Sequence, residues 1–267
     1  MATVVDYFVS LLEPFALVAI ACAPFELLAG ERQGISNRIR GALFFAIFLA
    51  AYAIALVSAQ TLVKLAGLRP LITVDFGSFG AGAGWLLHLP LAVMLSLIPF
   101  LIFDLFYYWF HRLQHAVPLL WQFHAVHHSI EELNATNCHH HWTEGLLRMP
   151  LIILPLMLLF ELRGVSEIAA LGFILGTWGQ IVHVNIRMTL GPLEWLLVSP
   201  RFHRIHHSLD ERHKNKNFAG LFSMFDLIFG TAYFPNTRES IKTGLHHKHE
   251  PVTLFQYLIS LRNRTGA

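Results

Sequence analysis

Residues 101–128 read LIFDLFYYWFHRLQHAVPLLWQFHAVHH, an apolar run that passes directly into five histidines. The apolar part ends a stretch from about Trp85 to Tyr108 that is long enough to cross a hydrocarbon core of roughly 30 Å, although Pro90 and Pro99 interrupt it. The histidines begin where this predicted span ends. The sequence therefore predicts a histidine-rich site at the boundary of a membrane.

The composition of the whole chain agrees with a membrane location. Of 267 residues, 55% are hydrophobic and 13% are charged, and this charged fraction is about half that of ordinary soluble domains. Two further apolar runs, residues 7–28 and 41–63, precede the third and are each long enough to span a bilayer. We expect an all-α fold, an integral-membrane helical bundle with a helical cap that carries the histidines.

Three regions are expected along the chain: an N-terminal transmembrane hairpin at 1–84, a histidine-bearing domain at 85–235 and a C-terminal tail at 236–267. The glycines of Gly77–Gly84 predict a turn, because a phosphate-binding loop would need a preceding strand and a following helix.

Two later apolar stretches are shorter than the three predicted spans. The uncharged residues between Arg148 and Glu161, and those between Glu167 and His183, number fewer than the roughly 20 of a full span. They predict a shallow or tilted helical hairpin.

Charge and cysteine content exclude several classes of protein. The net charge is only +2, with no long basic run, which argues against a nucleic-acid partner. Cys22 and Cys138 form no CxxC pair and predict no disulfide framework. Asp6 and Glu13 stand where a signal peptide would be basic, so the first apolar run is expected to stay in the mature protein.

Basic residues give a predicted orientation. Arg32, Arg38 and Arg40 lie in the polar segment between the first two spans. The positive-inside rule favours a cytoplasmic location for this loop, and two further crossings return the chain to the same side. The histidine clusters are therefore expected to face the cytoplasm.

Three histidine clusters have spacings that suit metal binding. They are His111 with His115, then His124 with His127 and His128, and finally His203 with His206 and His207. Positions i and i+4 lie on one helix face, so at least two rings of each HxxHH cluster can point at one centre while the third turns aside. A single such histidine is more often a core or interfacial residue, but three clusters beside lipid would be costly without metal coordination.

The order HxxxH, HxxHH, HxxHH in a membrane protein resembles the fatty acid hydroxylase and sterol desaturase superfamily. The resemblance runs from about Asp104 to Phe234 and includes the stretches 199–208 and 226–231. It implies a pair of metal ions held by histidines. His183, before the last cluster, resembles a single histidine found there in many members.

The resemblance also implies a histidine three residues before a glutamate, and His141 stands in that position relative to Glu144. Together with the eight histidines of the three clusters, His141 and His183 would bring the number of candidate metal ligands to ten. The family pattern has arginine-x-His-Pro, whereas this chain has His139 and Trp142 in place of the arginine and proline. His139 and His140 therefore remain possible substitutes for His141. A further triplet, His246, His247 and His249, lies in a basic tail and is more typical of a solvated segment.

Two carboxylates are candidate catalytic or supporting residues. Asp104 precedes His111 by seven residues, about two helical turns, and so lies on the same helix face. Glu144 follows the His139–His141 run. Either carboxylate could orient a ligating imidazole, and for each the alternative is a carboxylate at a helix end near the membrane surface.

The expected chemistry is oxidative. No side chain can remove hydrogen from an unactivated C–H bond, so a cofactor must do so. Two iron ions with O2 as co-substrate would provide this chemistry, whereas zinc fits the ligands but has no redox activity and would be a replacement in purified protein. A separate electron donor protein is implied, because the sequence shows no dinucleotide fingerprint and no haem or iron–sulfur motif.

The sequence therefore predicts an O2-dependent oxidoreductase, a hydroxylase, desaturase or alkyl-ether monooxygenase, acting on a membrane lipid, sterol or fatty acyl chain. The segment Gly191–Glu194 resembles the sterol desaturase and alkylglycerol monooxygenase branch. The alternative is a non-redox membrane metal-binding protein, a transporter or a sensor. Transport sites usually lie at repeat interfaces within the bilayer, whereas these clusters follow the spans, which favours an enzyme.

Overall fold

The computed structural model describes residues 2–29, 34–76, 85–163, 169–234 and 241–259, and the described chain is mostly helical. The turn expected at Gly77–Gly84, and Arg32, lie outside these residues. The longer helices are α1 (Val4–Ala29), α2 (Ile35–Leu65), α3 (Trp85–Ala116), α4 (Pro118–His128) and α7 (Ala169–Ile181). The shorter helices are α5 (Trp142–Arg148), α6 (Leu154–Leu159), α8 (Pro200–His206), α9 (Met224–Ile228) and α10 (Leu254–Ile259). Single helical turns occur at Met149–Ile153 (π), Gly191–Trp195 (3-10) and Glu211–His213 (3-10).

Helices α1 and α2 pack together through aromatic and aliphatic side chains, with the rings of Phe15 and Phe45 stacked 4.2 Å apart. Helix α2 begins at Ile35, so the expectation that Arg38 and Arg40 lie in a loop is wrong. Both arginines have an acidic partner. Arg38 pairs with Glu26 at 2.5 Å, and Arg40 pairs with Glu250 at 2.8 Å.

Glu26 joins the first hairpin to the histidine-bearing part of the chain. Its side chain is buried, and its Oε1 accepts hydrogen bonds from the backbone N–H groups of Ala135 and Asn185, both at 2.9 Å. The pairing with Arg38 supplies the positive charge that a buried carboxylate needs. Arg38 and Arg40, which were used to predict the orientation, thus also form ion pairs within the protein. The cytoplasmic orientation stays a prediction.

Helix α3 is longer than the span predicted at Trp85–Tyr108. It continues through both prolines to Ala116, so His111 and His115 lie on the same helix as the predicted span. A proline removes one backbone hydrogen bond and bends a helix without always ending it. The first histidine pair is therefore held on the same helix as the apolar residues that precede it.

The region expected to form a shallow hairpin contains a longer helical segment. Helix α5, the π turn and α6 follow one another from Trp142 to Leu159. Arg148 lies within this segment, where its guanidinium is over the rings of Phe48 and Tyr107, at 5.1 and 5.5 Å, and cation–π contact stabilises the charge.

Three helical segments among the described residues are long and apolar enough to cross a membrane. They are Val4–Leu28, Ile35–Leu65 and Trp142–Leu159. Several side chains between residues 85 and 96 lie outside the described set, so the span predicted at Trp85–Tyr108 is not among these three.

The expectation of an all-α fold misses two short strands. β1 (Ile72–Asp75) pairs in parallel with β2 (Phe160–Arg163), with Ile72 opposite Phe160 and Asp75 opposite Arg163. The β-branched run in β1 favours extended backbone. Pairing satisfies the backbone groups of the two segments that leave α2 and α6.

The cap packs on α3 through a cluster of buried aromatic residues, including Tyr108, Phe202, Phe218 and Phe222. The Tyr108 hydroxyl shares a hydrogen bond of 2.8 Å with Thr231, which ties α3 to the segment after α9. This packing places α8, with the last histidine cluster, beside the first cluster on α3.

Gly145 allows α5 to approach α2 closely. A Cβ atom at this position would lie 2.8 Å from the backbone nitrogen of Tyr52 and 3.2 Å from the carbonyl oxygen of Phe48. No larger residue fits without moving one helix, so the glycine fixes the position of Glu144 beside it.

We expect Gly145→Ala to lower the thermal unfolding midpoint of the detergent-solubilised protein, because overpacking costs about 1–3 kcal/mol. Gly176→Ala on α7 is the matched control, because an added Cβ at this position meets nothing within 4 Å. The substitution raises helix propensity by the same amount as Gly145→Ala does. Equal unfolding midpoints for the two variants would contradict the close packing of α5 on α2.

Candidate metal centre

Four segments bring the predicted histidines together. His111 and His115 lie one turn apart at the end of α3, and α4 carries the first HxxHH cluster at its end. Helix α8 carries the second HxxHH cluster, where Ser199 caps the helix by accepting from the N–H of Phe202 at 3.1 Å. His183 follows α7. Most of these rings are fully buried.

Nine of the ten predicted histidines form two groups, and within each group the candidate ligand atoms lie within 4.8 Å of one another. The first group is His111, His115, His124, His128 and His206. The second group is His127, His183, His203 and His207. In both HxxHH clusters the i and i+4 rings enter one group and the i+3 ring enters the other. Each cluster therefore serves both groups.

Backbone carbonyls determine which ring nitrogen carries the proton in several of these histidines. Nδ1 of His111 donates to Phe218 O at 2.7 Å, and Nδ1 of His206 donates to Lys216 O at 2.8 Å. A carbonyl oxygen can only accept, so Nδ1 is protonated and Nε2 of the neutral ring carries a lone pair.

The second group shows the same arrangement. Nδ1 of His127 donates to His139 O at 3.0 Å, and Nδ1 of His183 donates to Gly179 O at 2.6 Å. In both groups, therefore, backbone acceptors lie behind the rings and leave the Nε2 atoms for the interior.

The Nε2 atoms face one another at distances that suit a cation between them. His127 and His183 are 3.2 Å apart through Nε2, and His111 and His124 are 3.0 Å apart. With both Nδ1 atoms protonated, each pair brings two lone pairs together and cannot form a hydrogen bond. Two nitrogens bound to one metal at about 2.1 Å and 90° would be about 3.0 Å apart. The residues present therefore fit a metal ion in each group.

Burial keeps these rings neutral, as metal ligands must be. Removal from water lowers the pKa of His127 and His207 well below the usual value and lowers the pKa of His183 and His206 to about 3. An imidazolium could donate across the Nε2 pair of His127 and His183, but the lowered pKa values of both rings disfavour that form near neutral pH. Neutral imidazole is the form that binds metal.

His141, the tenth predicted ligand, lies outside both groups. It is the N-cap of α5, where its Nδ1 accepts from the Thr143 N–H and pairs with the Thr143 hydroxyl at 2.7 Å. The neighbouring His140 lies closer to the centre, with its ring stacked on that of His127 at 3.9 Å. His139 contributes its carbonyl to His127, and its own ring contacts Phe44.

Among the described residues, the Asp104 carboxylate makes no hydrogen bond to a histidine. Its two oxygens accept from the backbone N–H groups of Gly220, Leu221 and Phe222, at 2.6 to 3.1 Å. The structure places the Asp104 carboxylate against the loop that follows Phe218 and not against an imidazole. That loop in turn supplies the carbonyl for His111.

Asp226 is a supporting residue that the sequence did not single out as a site residue. It accepts from the N–H groups of Phe218 and Ala219 at 2.7 and 2.9 Å, and from the hydroxyl of Thr231 at 2.7 Å. It thereby fixes the same peptide segment that binds His111. The sequence signal for Asp226 is its position in the stretch 226–231, which resembles the family.

Glu144 is fully buried beside the centre. Its Oε2 accepts from Nδ1 of His124 at 3.2 Å and from Nε2 of Gln114 at 2.6 Å. Gln114 was not expected to matter, and its position between His111 and His115 in the HxxxH cluster is its only sequence signal.

The C-terminal triplet lies apart from both groups. His246 contacts the carbonyl of Leu209, and His249 contacts the carboxylate of Glu131, both on exposed side chains. Tyr257 in the same region is buried, however, and its hydroxyl donates to His140 O at 2.7 Å. Part of the predicted tail is therefore packed against the loop that borders the centre.

The chain is similar in sequence to several known proteins. Human alkylglycerol monooxygenase is 32% identical over 166 residues, which cover 61% of this chain and 36% of that protein. Ornithine lipid hydroxylase OlsE of Rhizobium tropici is 32% identical over 142 residues, covering 53% and 42%. Very-long-chain aldehyde decarbonylase GL1-4 of Oryza sativa subsp. indica is 27% identical over 138 residues, covering 48% and 22%.

The chain thus spans well under half the length of these relatives. No solved structure matches it. The family model described as fatty acid hydroxylase matches residues 96–231, just over half of the chain and all of the described histidine centre. The resemblance drawn from the histidine motifs is confirmed, and the chain belongs to the fatty acid hydroxylase family.

Proposed function

We propose that this chain is a membrane enzyme that uses O2 and two histidine-bound iron ions to oxidise a C–H bond of a lipid. The observation that carries the proposal is the facing of Nε2 lone pairs in each of two groups, five rings in one and four in the other. Iron suits imidazole ligands and, when bound, supplies the redox chemistry with O2 that side chains lack.

The nature of the relatives supports a lipid substrate. Their names describe a monooxygenase of alkylglycerols, a hydroxylase of ornithine lipids and a decarbonylase of very-long-chain aldehydes. The reaction proposed for this chain is therefore hydroxylation, desaturation or ether cleavage of a lipid chain. A non-redox metal-binding protein is the alternative, and it would consume no O2.

Within this proposal, the chain's own residues orient the rings and keep water out. Trp121 lies against His115 and His128, with ring centroids 4.9 and 5.3 Å apart. Phe218 lies against His111 and His206, with both centroid distances 5.6 Å. This aromatic wall lowers the local polarity, which strengthens the hold of the rings on a cation.

The proposed function includes a domain organisation, a membrane orientation and an electron donor. We propose that the catalytic domain corresponds to residues 85–235, which enclose the matched family region, with the hairpin at 1–84 anchoring it and 236–267 as a C-terminal segment. We propose that the centre faces the cytoplasm and that a separate protein donates the electrons consumed when O2 is reduced.

We expect purified, iron-reconstituted protein to contain two iron ions per chain by elemental analysis. His206→Ala and His127→Ala each remove one ligand from a different group and should each lower the iron content and abolish O2 consumption. His246→Ala, on the exposed C-terminal segment, is the control and should retain both. Full iron occupancy in both ligand variants would show that the groups are misassigned.

We also expect cells that express the chain to contain an oxidised lipid that is absent from cells expressing His206→Ala. Mass spectrometry of total membrane lipids should show a species heavier by one oxygen or lighter by two hydrogens, or the products of ether cleavage. Identical lipid profiles under aeration, with both proteins present in the membrane, would argue for the non-redox alternative.

A further inference from the structure

Glu144 lies where three segments of the centre meet. Its Oε2 accepts from Gln114 of α3 at 2.6 Å, from Nδ1 of His124 of α4 at 3.2 Å and from Nδ1 of His140 at 3.2 Å. The carboxylate is fully buried. One oxygen atom therefore links α3, α4 and the loop before α5.

The two histidines that Glu144 holds make contact with different groups of the centre. His124 is a member of the first group. The ring of His140 stacks on the ring of His127, a member of the second group, with an interplanar angle of 18°. Through these two contacts the Glu144 carboxylate is linked to the histidine rings of both groups.

His141 provides the contrast to His140. Its Nδ1 accepts the hydrogen bond that caps α5, which places its proton on Nε2. His124 and His140, which donate from Nδ1 to a carboxylate, have the opposite tautomer. The two neighbouring histidines therefore have different roles. His141 caps the start of α5, and His140 lies beside the centre.

Building on the proposed function, we propose that Glu144 is a positioning residue for both metal positions. It fixes the Nδ1–H tautomer of His124 for one position, and through His140 it fixes the ring plane of His127 for the other. A carboxylate behind a ligating imidazole orients the ring and raises its basicity. Loss of such a partner typically weakens metal binding about 10–100-fold.

The test is Fe2+ binding to the full-length protein in detergent, measured anaerobically by competition with a chelator. Glu144→Gln keeps the shape of the side chain and removes its charge. We expect Fe2+ affinity at least about 10-fold weaker at both positions, with the unfolding midpoint of the metal-free protein unchanged. Glu132→Gln is the control, because the Glu132 carboxylate accepts hydrogen bonds from Asn37 and from the N–H of Gly34, and this variant should bind Fe2+ as the wild type does.

A second pair of variants tests the division between the two histidines. His140→Ala should weaken Fe2+ binding, whereas His141→Ala should leave it within about twofold, because only the first contacts Glu144 and His127. His140→Phe keeps a ring against His127 and should recover part of the affinity, which a role limited to hydrogen bonding would not allow.

Wild-type affinity in Glu144→Gln would overturn this inference, as would equal weakening by His140→Ala and His141→Ala. If the wild-type protein itself bound no iron, the proposed function would be wrong, whatever the role of Glu144. If wild type bound two iron ions and consumed O2 while Glu144→Gln behaved identically, only the role of Glu144 would be wrong.

Discussion

The hydrogen bonds from Nδ1 to backbone carbonyls are the constraint on which the site depends. Phe218, His139, Gly179 and Lys216 provide these carbonyls. Because each ring donates a hydrogen bond from Nδ1 to a carbonyl, the Nε2 lone pairs turn inward, and the Nε2 atoms approach to about the separation of two nitrogens on one metal ion. Facing lone pairs repel each other, and a bound metal ion would relieve this repulsion.

Much of the surrounding structure serves to place those carbonyls. Asp104 and Asp226 bind successive N–H groups around Phe218, and Asn215 and Asn217 adopt φ of 58° on either side of Lys216. Asparagine tolerates this left-handed backbone better than most residues do. The loop is thereby shaped so that its carbonyls reach the histidine rings that the Phe218 side chain also contacts.

The histidine spacing predicted that rings of each cluster converge, and it left open which rings share a centre. Positions i and i+4 lie on one helix face, and the structure places His124 and His128 in one group. The group that His127 enters depends on how the other helices pack, which the local spacing does not define. His141 matches the family spacing, but α5 begins at Trp142 and has His141 as its N-cap. Arg38 and Arg40 pair with Glu26 and Glu250, which no local pattern identifies as their partners.

X-ray absorption at the iron edge of the reconstituted protein tests the central claim most directly. The account predicts nitrogen neighbours at about 2.1 Å, the outer-shell pattern of several imidazole rings per metal and two iron ions per chain. A spectrum dominated by oxygen or sulfur ligands, or by iron with one or two imidazoles, would contradict the convergence of the Nε2 atoms on two metal positions.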